Sequence, residues 1–256
     1  MDLTVIGTGI PGLVAGASFA EAGHDVTFLA RSPERTRRIC SGEALAPEPG
    51  LGELVMQNLA RERLRFTFDA RAAIRSAEVV FIAVDDDEER PGIGGRADLD
   101  RVLGAAALVG CHTADEKVVV TMTPVPVGAS RQIRAAVETR TAHPVHVCAA
   151  PTHLRSGRAV QDFRFPDRLV LGVESQRSRE VLGEIYAPFL RNGAPISFMD
   201  LPSAEFAAYA DSGRLSSRIS FMNLISRTGG RSRGPVGPVA REAAEAGSPS
   251  GVEKRS

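Results

Sequence analysis

Lysine is almost absent from this chain of 256 residues, although basic residues are not. Of its 31 lysines and arginines, only Lys117 and Lys254 are lysines. Arginine does not give up its proton, so chemistry that needs a titratable amine has almost no candidate here. The 31 acidic residues balance the basic ones, and a net charge of zero argues against a global commitment to nucleic acid or to an anionic membrane.

Cysteines and long apolar runs are also scarce. The three cysteines, Cys40, Cys111 and Cys148, lie far apart and lack the spacing of a metal site. An odd, sparse set fits a reducing compartment, and we expect a cytoplasmic protein. No apolar run reaches the roughly 18 residues of a membrane span. The first six residues lack the basic start of a signal peptide, so we expect no membrane partner and no leader.

Short apolar strands alternate with helical patterns along most of the chain. Strands are expected at 3–6, 26–29, 77–84, 117–121 and 145–149, and helices from after Gly12 to about residue 22 and at 52–60, 70–76, 98–108 and 129–138. A further strand–helix–strand unit is expected over 168–198, with its helix near 176–190. The alternation predicts an α/β fold, a Rossmann-type doubly wound parallel sheet over 1–200.

The last part of the chain has a different character. Pro202 and Ser203 are helix-start signals, so 201–226 is predicted to be a linking helix with its body over 203–226. Its apolar stripe would comprise Phe206, Tyr209, Ile219, Met222 and Ile225. From residue 227 the composition turns to Gly, Pro, Ser, Arg and Glu, which predicts a disordered tail over 227–256.

A glycine-rich turn follows the first strand. Gly7, Gly9 and Gly12 form a GxGxxG pattern that is completed by Ile10 and Pro11. In this context Gly7 permits a tight turn, Gly9 lets the backbone approach a pyrophosphate, and Gly12 allows close helix–strand packing. These five residues are the predicted cofactor-binding turn. The alternative is a retained turn that no longer binds, which the acidic run at 85–89 favours because it would repel a pyrophosphate beside it.

The end of the second strand carries arginine where NAD-binding proteins usually have an acid. Arg31 and Ser32, followed by Arg35, Arg37 and Arg38, offer the charge and hydroxyl that a 2′-phosphate requires. The predicted cofactor is therefore NAD or NADP, with NADP favoured. The alternative is a solvated basic helix face, which would also include Arg37 and Arg38.

The sequence resembles the N-terminal domain of UDP-glucose 6-dehydrogenases, within the UDP-glucose/GDP-mannose dehydrogenase superfamily. The likeness covers about 1–225 and is carried by MDLTVIGTGIPGLVAGASFAEAGHD at 1–25, EPGL at 48–51, LRFT at 64–67, AEVVFIAV at 77–84, ADL at 97–99, VPVG at 125–128, PDR at 166–168, YAPFLRNG at 186–193, SAE at 203–205 and ISFMN at 219–223. The resemblance implies a nucleotide sugar as partner, oxidation of its C6 alcohol with NAD, and a homodimer formed through helix 203–226.

The positions that carry the chemistry of that family are replaced in this chain. Pro124 stands where the water-holding threonine is expected, with Thr123 as a neighbour that could substitute. Thr152 stands in place of the glutamate, Ala208 in place of the lysine, and Ser212 in place of the asparagine. The segment with the family's cysteine nucleophile and the sugar-binding domain have no counterpart in the sequence. The resemblance therefore implies no catalytic residue at these positions.

Other constellations support no metal or nucleic-acid site. His143, His146, Cys148 and His153 lie near one another in sequence, but a zinc site would need further ligands, and Cys148 is better explained as a small core residue. Ser203 with Glu205 is typical of a helix cap. The tail arginines lack aromatic neighbours, so no nucleic acid is expected.

Three functions remain open from the sequence. The first is a degenerate, non-catalytic dinucleotide-binding relative of UDP-glucose dehydrogenase. The second is an active NAD(P)-dependent UDP-sugar dehydrogenase with relocated groups, for which His153 would be the base. The third is a truncated gene product without function, which the change of composition after residue 227 would suit.

Overall fold

The computed structural model describes residues 1–42, 48–84, 96–152, 154–190 and 193–231. The strands in these residues are β1 (Asp2–Ile6), β2 (Asp25–Leu29), β3 (Leu64–Thr67), β4 (Val79–Ile82), β5 (Lys117–Thr121), β6 (Val145–Ala149), β7 (Leu169–Gly172) and β8 (Ile196–Met199). They form one sheet in the order β3-β2-β1-β4-β5-β6-β7-β8. All neighbours are parallel except β6 and β7, which meet antiparallel at Ala149 and Gly172. The order of the first six strands is that of a dinucleotide-binding fold, which confirms the predicted class.

Helices connect these strands. They are α1 (Ile10–Glu21), α2 (Pro33–Cys40), α3 (Leu51–Ala60), α4 (Ala70–Ser76), α5 (Arg96–His112), α6 (Ala129–Glu138), α7 (Ala159–Arg164), α8 (Gln176–Tyr186), a short 3-10 helix (Ala187–Leu190) and α9 (Leu201–Arg231). The 3-10 turn follows α8 where Pro188 lacks a backbone N–H, so the predicted helix near 176–190 is divided in two.

The core lies on both faces of the sheet because its central strands are apolar throughout. Every residue of β4 and β5 is buried, as expected of strands covered on both sides. Val79 and Phe81 point to the face covered by α1, α3, α7 and α8. Val80 and Ile82 point to the face covered by α5, α6 and the start of α9. The alternation follows from the two-residue period of a strand.

Aromatic residues from distant segments meet on the first face. Phe19 of α1 packs against Phe81 at a ring distance of 4.8 Å and against Tyr186 at 5.5 Å. Phe163 and Phe189 complete the cluster. The YAPFL part of the segment at 186–193 therefore supplies core packing, which explains why it belongs to the framework of the fold.

Some elements were absent from the sequence predictions. β3 has only four residues, and α2 is short and mostly polar, with only Thr36 and Ile39 buried, so neither gives a long apolar pattern in the sequence. α7 has six residues and was also missed. α9 extends to Arg231 rather than 226, so residues 227–231 are helical and not part of a tail; helix ends are poorly marked in sequence. Residues 232–256 lie outside the described residues, and their predicted disorder stays a prediction.

The chain divides into two compact units. The first, Met1–Tyr209, contains the whole sheet. The second begins at Ala210, and its described part is the remainder of α9. The predicted division at residue 200 stays a prediction.

Candidate functional site

The glycine-rich turn leaves the carboxyl end of β1 at the point where the strand order reverses between β1 and β4. Gly7 has φ +122°, and a Cβ there would lie 2.2 Å from the Ala83 carbonyl oxygen. A Cβ on Gly12 would lie 2.6 Å from the Gly7 oxygen. Both positions therefore require glycine, for conformation at Gly7 and for space at Gly12. Ligands of open α/β sheets bind at this kind of switch point.

The amino end of α1 offers unpaired backbone donors at this turn. Gly9 is the N-cap residue, with an extended backbone at φ −68° and ψ 172°, and no side chain caps the helix. The N–H groups of Gly9, Ile10 and Gly12 have no acceptor within the helix, and Pro11 has no N–H to satisfy. Their partial positive charge favours an anion such as a pyrophosphate. The predicted turn residues thus lie together and fit a dinucleotide.

Arg35 lies directly against this turn. Its Nε and Nη2 atoms donate to the Thr8 carbonyl oxygen at 3.3 and 3.2 Å. The contact crosses from α2 to the residue between Gly7 and Gly9, and the guanidinium is half-buried there. Because arginine has five N–H donors, three remain for another acceptor.

Ser32 and Arg31 have different roles in the structure. Ser32 is the N-cap of α2, and its hydroxyl accepts from the Arg35 backbone N–H at 3.2 Å. The hydroxyl hydrogen of a capping serine can still be donated. Arg31 is exposed beside it. Arg37 and Arg38 are exposed on α2, whereas Arg35 is directed toward the glycine turn.

Pro124 and Thr152, two positions at which the resemblance implied a replaced residue, lie in the loops at the carboxyl ends of β5 and β6. The Thr152 backbone N–H donates to the Met122 carbonyl at 3.3 Å, which joins the two loops. The Thr152 hydroxyl donates to the Ala150 carbonyl at 3.0 Å, and the Thr123 hydroxyl donates to the Val84 carbonyl at 2.8 Å. Pro124 is exposed. Both acceptors are backbone carbonyl oxygens and not bases, so neither threonine hydroxyl is activated as a nucleophile or proton donor by its hydrogen bond.

The two remaining positions lie on α9. Ala208 is 6% exposed, so its methyl group occupies a packed site with no polar function. Ser212 lies within the helix, and its side chain is outside the described residues, as are His153 and the acidic run at 85–89.

Glu205 is buried and connects α9 to the loop before α6. Its carboxylate accepts from the Gly128 N–H at 2.5 Å, the Ser130 N–H at 2.7 Å and the Ser130 hydroxyl at 2.5 Å. It therefore caps α6, a different helix from the one it belongs to. At the start of α9 the Asp200 carboxylate accepts from the Ser203 N–H at 2.7 Å, and these bonds lower the Asp200 pKa. The predicted cap at Ser203 and Glu205 is therefore wrong in its position, because Asp200 caps α9 and Glu205 caps α6.

Glu48 does the same for α7. Its two carboxylate oxygens accept from the Gly157 N–H at 2.7 Å and the Ala159 N–H at 3.0 Å. Sequence reasoning noted Glu48 only as part of a motif and missed this role. The local sequence carries no signal for this role, because the burial of Glu48 and its two distant donors arise only in the fold.

The histidine and cysteine candidates do not form a site in the described residues. Cys148 is fully buried, and burial raises its pKa to about 11, which confirms the interpretation as a core residue. His146 pairs with Glu116 at 2.8 Å. Among the described residues no group of three or more His, Cys, Asp or Glu side chains is placed to hold a metal ion. No helix in the same residues is both long and apolar enough to span a membrane.

Comparison with known proteins identifies the family. Residues 1–190 match the NAD binding domain of the UDP-glucose/GDP-mannose dehydrogenase family. The chain belongs to this family. The predicted resemblance is thereby confirmed, and the match supports a nicotinamide dinucleotide as the cofactor class of the glycine turn.

Individual relatives agree with this assignment. The chain is 38% identical over 229 residues to UDP-glucose 6-dehydrogenase of Rhizobium meliloti (strain 1021), covering 88% of this chain and 52% of that protein. It is 36% identical over 228 residues to UDP-glucose 6-dehydrogenase YwqF of Bacillus subtilis (strain 168), covering 88% of this chain and 50% of that protein. The chain spans about half the length of the curated relatives it matches.

Solved structures agree on the fold. A UDP-glucose dehydrogenase from Pyrobaculum islandicum superposes with a TM-score of 0.78 at 29% identity, covering 92% of this chain and 58% of that chain. A GDP-mannose dehydrogenase from Pseudomonas aeruginosa superposes with a TM-score of 0.81 at 23% identity, covering 96% of this chain and 56% of that chain. The second likeness bears on the fold alone.

Proposed function

We propose that this chain binds a nicotinamide dinucleotide at its glycine turn, with NADP⁺ preferred over NAD⁺, and does not itself oxidise the C6 alcohol of a nucleotide sugar. The observation that carries the proposal is the contact of the Arg35 guanidinium with the Thr8 carbonyl. It holds a permanent positive charge beside the amides that would receive the pyrophosphate. When bound, the nicotinamide ring supplies a hydride acceptor.

The preference for NADP⁺ rests on charge at the end of β2. Residues 30–32, which follow the strand, contain no acid, and Arg31 is exposed there. An acid would accept from the ribose hydroxyls of NAD⁺, whereas arginine forms charge-assisted bonds with a 2′-phosphate. Arg31, Ser32 and Arg35 would hold that phosphate, and Gly9, Ile10 and Gly12 would hold the pyrophosphate.

The absence of oxidation rests on the replaced positions. Thr152, Ala208 and Pro124 offer neither a base nor an ammonium group. The hydroxyls of Thr123 and Thr152 donate to backbone carbonyls. Loss of one acid–base group commonly costs about 10²–10⁴ in rate. The replacements together would reduce C6 oxidation below detection. The active dehydrogenase with His153 as base is the alternative that the assay below tests.

We also propose that a second copy of the chain covers the exposed aromatic residues of α9. Phe206 and Tyr209 are 60% and 69% exposed one helical turn apart. An apolar surface of this kind favours association. Light scattering of the wild type and of Phe206→Glu tests the point: a dimer that becomes a monomer supports it, and a wild-type monomer at high concentration contradicts it.

The test of cofactor binding is calorimetric titration with NADP⁺ and NAD⁺. We expect micromolar binding of NADP⁺, which corresponds to about −8 kcal/mol, and weaker binding of NAD⁺. Arg35→Gln should weaken both dinucleotides, because both carry the pyrophosphate, and should weaken NADP⁺ more, by at least about tenfold or 1.4 kcal/mol, because its 2′-phosphate also loses a charged partner. Arg177→Gln, an exposed arginine on α8, is the matched control and should change neither.

Two outcomes would contradict the proposal. No heat with either dinucleotide would mean that the turn is no longer a binding site, and a molten thermal transition would favour the third function. NADPH formation with UDP-glucose or a UDP-N-acetyl sugar at high enzyme concentration would instead establish the active dehydrogenase.

A further inference from the structure

A second concave surface lies at the edge of the sheet opposite the glycine turn. The cleft has a volume of 380 Å³, and its walls include Arg71, Arg75, His112, Thr113 and His143. α4 and α5 end here, immediately before β4 and β5 begin, and His143 precedes β6. These residues therefore lie at the amino ends of parallel strands. The dinucleotide turn lies at the carboxyl ends, so the cleft is a separate site.

The cleft carries positive charge that nearby acids do not neutralise. Arg71 and Arg75 are four residues apart on α4, so both side chains lie on one helix face. In the part of the chain that the structure describes, neither guanidinium forms an ion pair. The acids next along the chain have other partners: Asp115 pairs with Lys117, and Glu116 pairs with His146.

The helix ends oppose this charge but do not cancel it. α4 and α5 both end at the cleft, and each carboxyl terminus carries about half a negative charge at most. Two guanidinium groups supply two positive charges, and no carboxylate lines the described walls. The balance is about one net positive charge, which favours an anion.

The donors suit a phosphate group. Each guanidinium can form two parallel bonds to phosphate oxygens, and the imidazoles of His112 and His143 each provide an N–H even when neutral. The cleft volume lies within the range of sites that hold small organic molecules. A bare phosphate would occupy part of it, and a phosphate ester would fill more.

We propose that this cleft binds a small phosphorylated compound through Arg71 and Arg75, at a site distinct from the dinucleotide turn. The phosphate dianion is the recognised chemistry, whether it is free or carried as an ester.

The test is ¹⁵N–¹H correlation NMR of the full chain during titration with inorganic phosphate, and separately with glucose 1-phosphate, with sodium chloride at matched ionic strength as control. We expect saturable shifts of the Thr113 and Ala114 amides, and at least a tenfold weaker dissociation constant for Arg71→Gln/Arg75→Gln. The exposed arginines make this variant a mild one for folding. Arg71→Lys/Arg75→Lys retains the charge and should bind with intermediate affinity, and Arg177→Gln should bind as the wild type does.

The outcomes separate clearly. Tighter binding of glucose 1-phosphate than of inorganic phosphate would identify an ester site, and equal binding would identify a phosphate site; both support the proposal. Shifts that chloride reproduces, shifts confined to residues 9–12, or a folded glutamine variant with unchanged affinity would overturn it.

Discussion

The carboxyl edge of the sheet contains two neighbouring regions that differ in what they retain. At the ends of β1 and β2, the glycine turn, the open amino end of α1 and Arg35 together fit a dinucleotide. At the ends of β5 and β6, a backbone hydrogen bond joins the two loops, and the Thr123 and Thr152 hydroxyls donate to backbone carbonyls. The first region has groups available to a ligand, whereas the second has groups committed to the backbone.

The second region nevertheless retains its supporting carboxylates. Glu205 and Glu48 are buried and each caps the amino end of a distant helix. The residues that hold the loops in place are therefore separable from those that would act on a substrate. Similarity of fold alone therefore does not establish activity.

The largest effect is expected for Gly7→Ala in the first region. An alanine would have to adopt φ +122° with its Cβ 2.2 Å from a backbone oxygen, so the variant should lose about 3–5 kcal/mol of unfolding free energy and all dinucleotide binding. Urea denaturation and calorimetry measure both. Gly104→Ala is the control, because it lies in α5 with nothing within 4 Å of the new Cβ and should gain about 0.5–1 kcal/mol. A stable, binding-competent Gly7→Ala protein would refute the assignment of the turn.

An intermediate effect is expected for Glu205→Ala in the second region. The change leaves the Gly128 and Ser130 N–H groups without their acceptor, so we expect a loss of about 2–4 kcal/mol. The remaining folded protein should bind NADP⁺ with unchanged affinity, since Glu205 does not belong to the first region. Glu180→Ala, at an exposed position of α8, should change the free energy of unfolding by no more than about 0.5 kcal/mol. Equal loss of cofactor affinity in Glu205→Ala would show that the two regions are coupled.

The smallest effect concerns Cys148 in β6. Burial raises its pKa from 9.0 to about 11, so the folded state keeps a proton that the unfolded state releases above pH 9. The protonated thiol contributes fully to the free energy of unfolding well below pH 9. This contribution decreases as the pH rises, by about 1 kcal/mol between pH 9 and 10. Urea denaturation at pH 9 and pH 10 measures how the free energy of unfolding changes with pH. Cys148→Ala should lack the part of this change that comes from the thiol. An identical slope in both proteins would contradict the placement of Cys148 in the core.

The predictions from sequence succeeded where the signal is local. β5, β6, α4 and α6 have the predicted bounds because β5 and β6 are short, mostly apolar runs, α6 buries residues at helical spacing, and Asp69 caps α4. β3, α2 and α7 were missed because they are short or mostly polar, so packing decides their structure rather than their own pattern. Ser32 was predicted to bind a phosphate, and in the structure its hydroxyl also caps α2.

By itself, the sequence determined the α/β class, the family resemblance and the glycine turn, because strand period, helix period and the need for positive φ are properties of a few consecutive residues. The tertiary structure alone decided which distant residues meet. The Glu48 carboxylate reaches an N–H 109 positions away, Arg35 turns to Thr8, and two helix ends bring Arg71, Arg75 and His143 around one cleft. Such contacts depend on how the sheet orders its strands, and no local pattern encodes that order.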